Sequence, residues 1–120
     1  AAALFCESPR VFCDIAEWTE AGTTEAAGMA LWFYNYSTFR GRHGIYLEDL
    51  FVRPQLRGRG IGKALLLRLA DRCVAQNLAR LEWSVLDWNT PSIEFYKSLG
   101  ALPMDEWTVF RLTGEALRRR

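Results

Sequence analysis

Residues 57–62 read Arg-Gly-Arg-Gly-Ile-Gly. They follow an apolar run, residues 46–52 (Tyr-Leu-Glu-Asp-Leu-Phe-Val), and precede a run of helical character at residues 63–77. A strand that runs into a glycine turn and then a helix makes an anion site. Glycine lets the backbone come close to a ligand, and the first N–H groups of the helix point at it with the positive end of the helix dipole. The expected ligand is a phosphate or pyrophosphate. Two common phosphate motifs do not fit. The dinucleotide fingerprint needs G-x-G-x-x-G, and glycines at 58, 60 and 62 bring the third one too early. The Walker loop needs G-x-x-x-x-G-K-[ST], but position 57 is Arg and Lys63 is followed by Ala64. What remains is Arg-x-x-Gly-x-Gly, formed by Arg57, Gly60 and Gly62, with Val52 and Pro54 just upstream. A plain strand-to-helix turn also satisfies that pattern.

With these residues the chain resembles the GNAT superfamily of acetyl-CoA-dependent N-acetyltransferases, whose motif is [Q/R]-x-x-G-x-[G/A]. Within it the chain is most similar to the diamine acetyltransferases, the spermidine/spermine and thialysine group. The matching runs are residues 46–52, residues 57–62 and residues 88–101 (Trp-Asn-Thr-Pro-Ser-Ile-Glu-Phe-Tyr-Lys-Ser-Leu-Gly-Ala), with a weaker match at residues 5–18. The resemblance covers almost the whole chain and omits the family's first strand and first two helices. It implies an α/β (α+β) acyl-CoA N-acyltransferase fold, N-terminally truncated. Its mixed central sheet contains a strand–helix–strand crossover, and two of its strands splay apart to hold the pantetheine arm of acetyl-CoA. The implied activity is direct transfer of the acetyl group to a primary amine of a small diamine, polyamine or amino-acid-like acceptor. The alternative is an acyl-CoA-binding module without turnover. A homodimer is also implied.

Acetyl transfer to an amine sets three tasks. The amine must lose a proton, because an alkyl ammonium titrates near ~10.4; the oxyanion must be stabilised; and the leaving thiolate needs a proton or a hydrogen bond. By resemblance Glu48 takes the first task, directly or through a water. Strand alternation turns Asp49 to the opposite face, unless a bulge of the kind found in the family brings it in as a contact for the substrate amine. Tyr96 takes the third task by resemblance. A thiol titrates near ~8.5 and a phenol near ~10, so Tyr96 is expected to donate a hydrogen bond rather than a whole proton. The oxyanion donor is expected to be a backbone N–H near Phe51 or Val52. The expected acetyl-CoA contacts are Phe51, Val52, Arg57, Gly58, Arg59, Gly60, Ile61, Gly62, Lys63, Asn89, Ser92 and Tyr96, with Asn89 equally readable as a helix-start residue. Glu48, Asp49, Phe39 and Trp107 are expected at the acceptor, where Trp32 and Trp88 also offer aromatic faces for a cation. Where the polyamine enzymes carry an acid, this chain has Ser37, followed by Arg40, Arg42 and His43, a departure that favours short acceptors. His43 is assigned no catalytic role.

The 120 residues predict one domain spanning 1–120, half apolar and 24% charged, as for a folded protein. A net charge of +1 gives no case for nucleic acid or membrane, and no run is long enough to span a bilayer. Cys6, Cys13 and Cys73 are odd in number and lack metal spacing, so reduced thiols, a cytoplasmic setting and no metal are expected. Strands are expected at 11–17 and 28–36, forming a hairpin across a polar turn at 19–27. After a loop at 37–44 comes a central strand at 45–52. A helix at 60–77 carries the stripe Ile61, Leu65, Leu69, Cys73. A strand follows at 81–86. A second helix is capped by Thr90 with Pro91 at its first position and stopped by Gly100, and a last strand is expected at 107–112.

Overall fold

The computed structural model describes residues 10–38 and 40–119. Among the described residues the chain forms two units, one ending at Ser84 and the other beginning at Val85. The first unit holds a four-stranded sheet in the order β1 (Phe12–Glu20), β2 (Thr23–Ser37), β3 (Arg42–Val52), β4 (Leu81–Trp83). β1, β2 and β3 are antiparallel neighbours, and β4 joins β3 in parallel after the crossover helix α1 (Ile61–Ala75). The expected hairpin, central strand and crossover are therefore present. The polar turn is shorter than expected: Glu20 already faces Thr23, and only Ala21 and Gly22, both at positive φ, make the bend. A two-residue turn of this hand matches the twist of the strands, and β-branched Thr23 and Thr24 extend the ladder. Likewise the loop expected at 37–44 tightens. β2 continues through Ser37 and β3 begins at Arg42, with the Gly41 N–H donating to the Ser37 carbonyl at 2.7 Å.

α1 covers one face of the sheet. Its stripe of Ile61, Leu65, Leu69 and Cys73 is buried as expected, joined by Leu66, and packs against a layer containing Ala30, Trp32, Ile45 and Leu47. Removing such side chains from water is the main stabilising term, about 1.5–3 kcal/mol for each large one. On the same face Trp32 stacks on Phe12 and meets Tyr34 edge-on. The Arg72 guanidinium lies 4.9 Å from the Trp32 ring centre and pairs with Asp14 at 3.3 Å.

Two bulges interrupt the ladders. Ala27 is the extra residue between the Ala16–Gly28 and Glu17–Ala26 pairs, and its carbonyl accepts from the Arg53 N–H at 2.8 Å. Glu48 is the extra residue on β3, between the Leu31–Asp49 and Trp32–Leu47 pairs. Gly28 sits where β2 packs tightly on β3: a Cβ there would lie 2.6 Å from the Phe51 carbonyl oxygen.

The second unit contains α2 (Thr90–Ser98) and α3 (Gly114–Arg118). Three expectations change around it. The cap of α2 is Asn89 rather than Thr90, its amide oxygen accepting from the Ser92 N–H at 3.3 Å, so Pro91 falls in the second helical position. The strand expected at 81–86 pairs only over Leu81–Trp83. Residues 107–112 form no strand and join no sheet among the described residues, because β-formers make a strand only against a neighbour. Gly100, at φ 93°, ends α2 as its type predicts.

Candidate functional site

β3 pairs with β4 through three residues: Ile45 with Leu81, Tyr46 with Glu82, Leu47 with Trp83. Beyond Leu47, β3 runs on through Val52 while β4 has ended. From Glu48 to Val52 the edge of β3 that faced β4 has no strand partner among the described residues. The pairing ends at the residue before the bulge. A bulge bends a strand and disrupts its ladder locally, which accounts for the end of the pairing. The register also corrects the simple alternation: Tyr46 and Asp49 lie on one face, away from α1, while Leu50 and Val52 lie with Leu47 on the other. Both Glu48 and Asp49 are exposed, with Tyr46 nearby bonding Ser84 through their hydroxyls at 2.5 Å.

The open edge leads into the glycine turn. Pro54–Leu56 forms a single 3-10 turn, and the Arg57 Nε donates to the Val52 carbonyl at 3.3 Å, which closes the strand end. Gly58 and Gly60 take φ of 82° and 79°, a region that costs any side chain. Gly60 is the N-cap of α1 and has no side chain to satisfy the first amides. The first helical bond runs from the Ala64 N–H to the Gly60 carbonyl at 2.9 Å. The N–H groups of Ile61, Gly62 and Lys63 therefore lack intrahelical acceptors. The first turn contains no acid, and exposed Arg57, Arg59 and Lys63 surround it. This arrangement suits a diphosphate, and the open β3 edge beside it suits an extended chain bearing amides. The residues present thus fit acyl-CoA. Gly62 lies beside the end of β3, where a Cβ would make ordinary contact with Val52 at 3.7 Å.

Arg59 has partners that its neighbours in the turn do not. Its guanidinium lies 5.1 Å from the centre of the Trp18 ring and 3.7 Å from the Glu20 carboxylate, at the end of the β1–β2 hairpin. Nothing in the spacing of the sequence singles out Trp18 or Glu20; they reach the turn only because the hairpin folds toward the head of α1.

In the second unit, Asn89 and Ser92 are joined through the cap bond, and Tyr96 lies half-buried on α2 beside Phe95, ring centres 5.6 Å apart. Burial pushes the Tyr96 phenol above its ordinary value. Trp107 and Trp88 are both three-quarters exposed. Phe39 lies outside the described residues. Two residues considered for the acceptor have structural employment instead. Trp32 is only 2% exposed and already carries Arg72 on its face. Ser37 is buried, its Oγ accepting from the Arg40 N–H at 3.1 Å and from the Arg80 side chain at 3.2 Å. His43 packs edge-on against Tyr36. Among the described residues no group of His, Cys, Asp or Glu can hold a metal, and no helix is long and apolar enough to cross a membrane.

The sequence matches the Acetyltransferase (GNAT) family over residues 2–101, and the chain belongs to that family. It is 45% identical over 92 residues to L-ornithine N5-acetyltransferase NATA1 of Arabidopsis thaliana, covering 77% of this chain and 40% of that protein. It is 39% identical over 121 residues to the thialysine N-epsilon-acetyltransferase of Bos taurus, covering 95% of this chain and 71% of that protein. Among solved structures it is similar to an integron cassette protein from the mobile metagenome of V. cholerae, with a TM-score of 0.81 and 30% identity, over 96% of this chain and 68% of that one. These likenesses agree with the mixed four-stranded sheet and the crossover helix seen here.

Proposed function

We propose that this chain acts as a single acetyltransferase domain, moving the acetyl group of acetyl-CoA to a primary amine of a small diamine, polyamine or amino-acid-like acceptor. The observation that carries the reading is the unpartnered β3 edge, residues 48–52, running into the glycine turn at the head of α1. The relatives support the acceptor class, since the two named above are an ornithine and a thialysine acetyltransferase. The thioester supplies the acyl group and the leaving thiolate. Glu48 takes the ammonium proton, and its place as the bulged, exposed residue of β3 leaves its carboxylate open to solvent-borne amine. Asp49 offers a second carboxylate to a dicationic acceptor. A backbone N–H near Phe51 or Val52 receives the oxyanion. Tyr96 holds its proton and donates a hydrogen bond to the thiolate, a role that a raised phenol pKa favours over full proton transfer. Gly58, Gly60 and the amides of Ile61–Lys63 receive the diphosphate.

Thermal melting with acetyl-CoA tests the binding half: at 100 times Kd a ligand of the folded state adds about 2.7 kcal/mol. Gly60→Glu puts bulk and negative charge at the diphosphate and should abolish that shift. If Gly60→Glu binds acetyl-CoA as tightly as the parent, the site is elsewhere. A panel of diamines and lysine-like amines tests the catalytic half. A parent that binds acetyl-CoA but acetylates none of them is an acyl-CoA-binding module without turnover.

A further inference from the structure

Arg59 is the middle cation of the glycine turn, one residue before the N-cap of α1. Its charge is held from outside the turn. The Trp18 ring supports the guanidinium at 5.1 Å, and the Glu20 carboxylate reaches it at 3.7 Å, also accepting from the Trp18 indole N–H at 3.5 Å. The two contacts differ in kind. The aromatic face is neutral and polarises toward a cation without neutralising it, so it fixes where Arg59 lies and leaves its charge available. The carboxylate is an anion. It satisfies the same guanidinium that a phosphate would need, and it adds negative charge near a site built for anions. It is 70% exposed, so its hold is weak and readily exchanged.

We propose that Trp18 and Glu20 form a latch on Arg59: Trp18 positions the guanidinium for a phosphate of the acyl-CoA, and Glu20 is an internal competitor that the phosphate displaces. Both are positioning residues for the site proposed above, and the inference rests on that reading. It commits to opposite signs for two neighbouring residues, which a merely structural hairpin contact does not produce.

The test is calorimetric titration of the parent, Trp18→Ala, Trp18→Phe and Glu20→Gln with CoA, and with pantetheine, which lacks the phosphates. Trp18→Ala should weaken CoA about 2- to 5-fold, the range for losing an exposed cation–π contact. Trp18→Phe should restore part of that loss. Glu20→Gln should tighten CoA about 2- to 4-fold, the scale of releasing an exposed ion pair. Both shifts should shrink at 1 M salt, where the Debye length falls to about 3 Å. Pantetheine affinity should stay at the parental value in every variant. A Glu20→Gln variant that binds CoA no better than the parent, or a Trp18→Ala loss that appears equally with pantetheine, overturns the latch while the parent still binds CoA. A parent that binds no CoA defeats the underlying assignment and the latch with it.

Discussion

At the scale of single residues, the two side chains proposed for catalysis have separable tasks. Tyr96→Phe keeps the ring and removes the hydroxyl. If the phenol assists thiolate departure, kcat should fall by about 10²-fold, while acetyl-CoA affinity should barely move, because the hydroxyl acts in the transition state. A variant retaining most of its rate on the best acceptor removes Tyr96 from the mechanism. The raised phenol also fixes a pH window. The group ionises near ~10 in the unfolded chain and higher in the folded one. Its contribution to stability is therefore complete below pH ~10 and lost as pH rises through the folded value. No alkaline loss of rate should trace to Tyr96 below pH ~10. Glu48→Gln should behave differently, its rate deficit shrinking as pH approaches the amine's ~10.4 and more substrate arrives as free base. Parallel pH profiles for the two variants would show that one of these roles is misassigned. The residues of the turn were legible because glycine spacing directly encodes backbone conformation. Trp18 and Glu20 were not, because their part depends on where a hairpin tip comes to rest.

At the scale of elements, the sheet depends on a close approach that only glycine permits. Gly28→Ala places a methyl group 2.6 Å from the Phe51 carbonyl oxygen, so β2 and β3 must separate beside the proposed oxyanion donor. Overpacking of this kind costs about 2 kcal/mol, which should lower the melting temperature by roughly 5–10 °C and weaken acetyl-CoA binding. A variant with parental melting and affinity would show that the strands absorb the methyl without consequence. The hairpin, the crossover helix and its buried stripe were readable from the sequence, since each follows from local periodicity. Four features were not. The short β4 and the unpaired residues 107–112 depend on which strands find neighbours. The cap of α2 turned on two adjacent polar residues, Asn89 and Thr90, both of capping type, of which Asn is the stronger and takes the role. The bulge at Glu48 could be foreseen only through family likeness, because one extra residue in a strand leaves no composition signal.

At the scale of the whole molecule, the apolar residues Trp107, Val109, Phe110 and Leu112 stand mostly exposed, Phe110 at 91%. Contiguous exposed apolar residues of this kind mark interaction surfaces, and we expect a homodimer to cover them. Light scattering at working concentration should report two protomers, and replacing Val109 and Phe110 with Ser should shift the population toward one. A monomer in the parent refutes the expectation. A different consequence follows from the two-against-one register on β3. Losing a residue from the middle of a strand ordinarily turns every later side chain to the wrong face. Here, excision of Glu48 would bring Asp49 directly after Leu47, opposite Leu31 and Trp32 in an uninterrupted ladder, and leave every other pair intact. The shortened chain should fold, and melt no lower than the parent, yet lose most of its acetyl transfer near neutral pH. A position the sheet can lose without penalty is then one the proposed chemistry requires, and a relative of this domain with little activity can arise by the loss of a single codon.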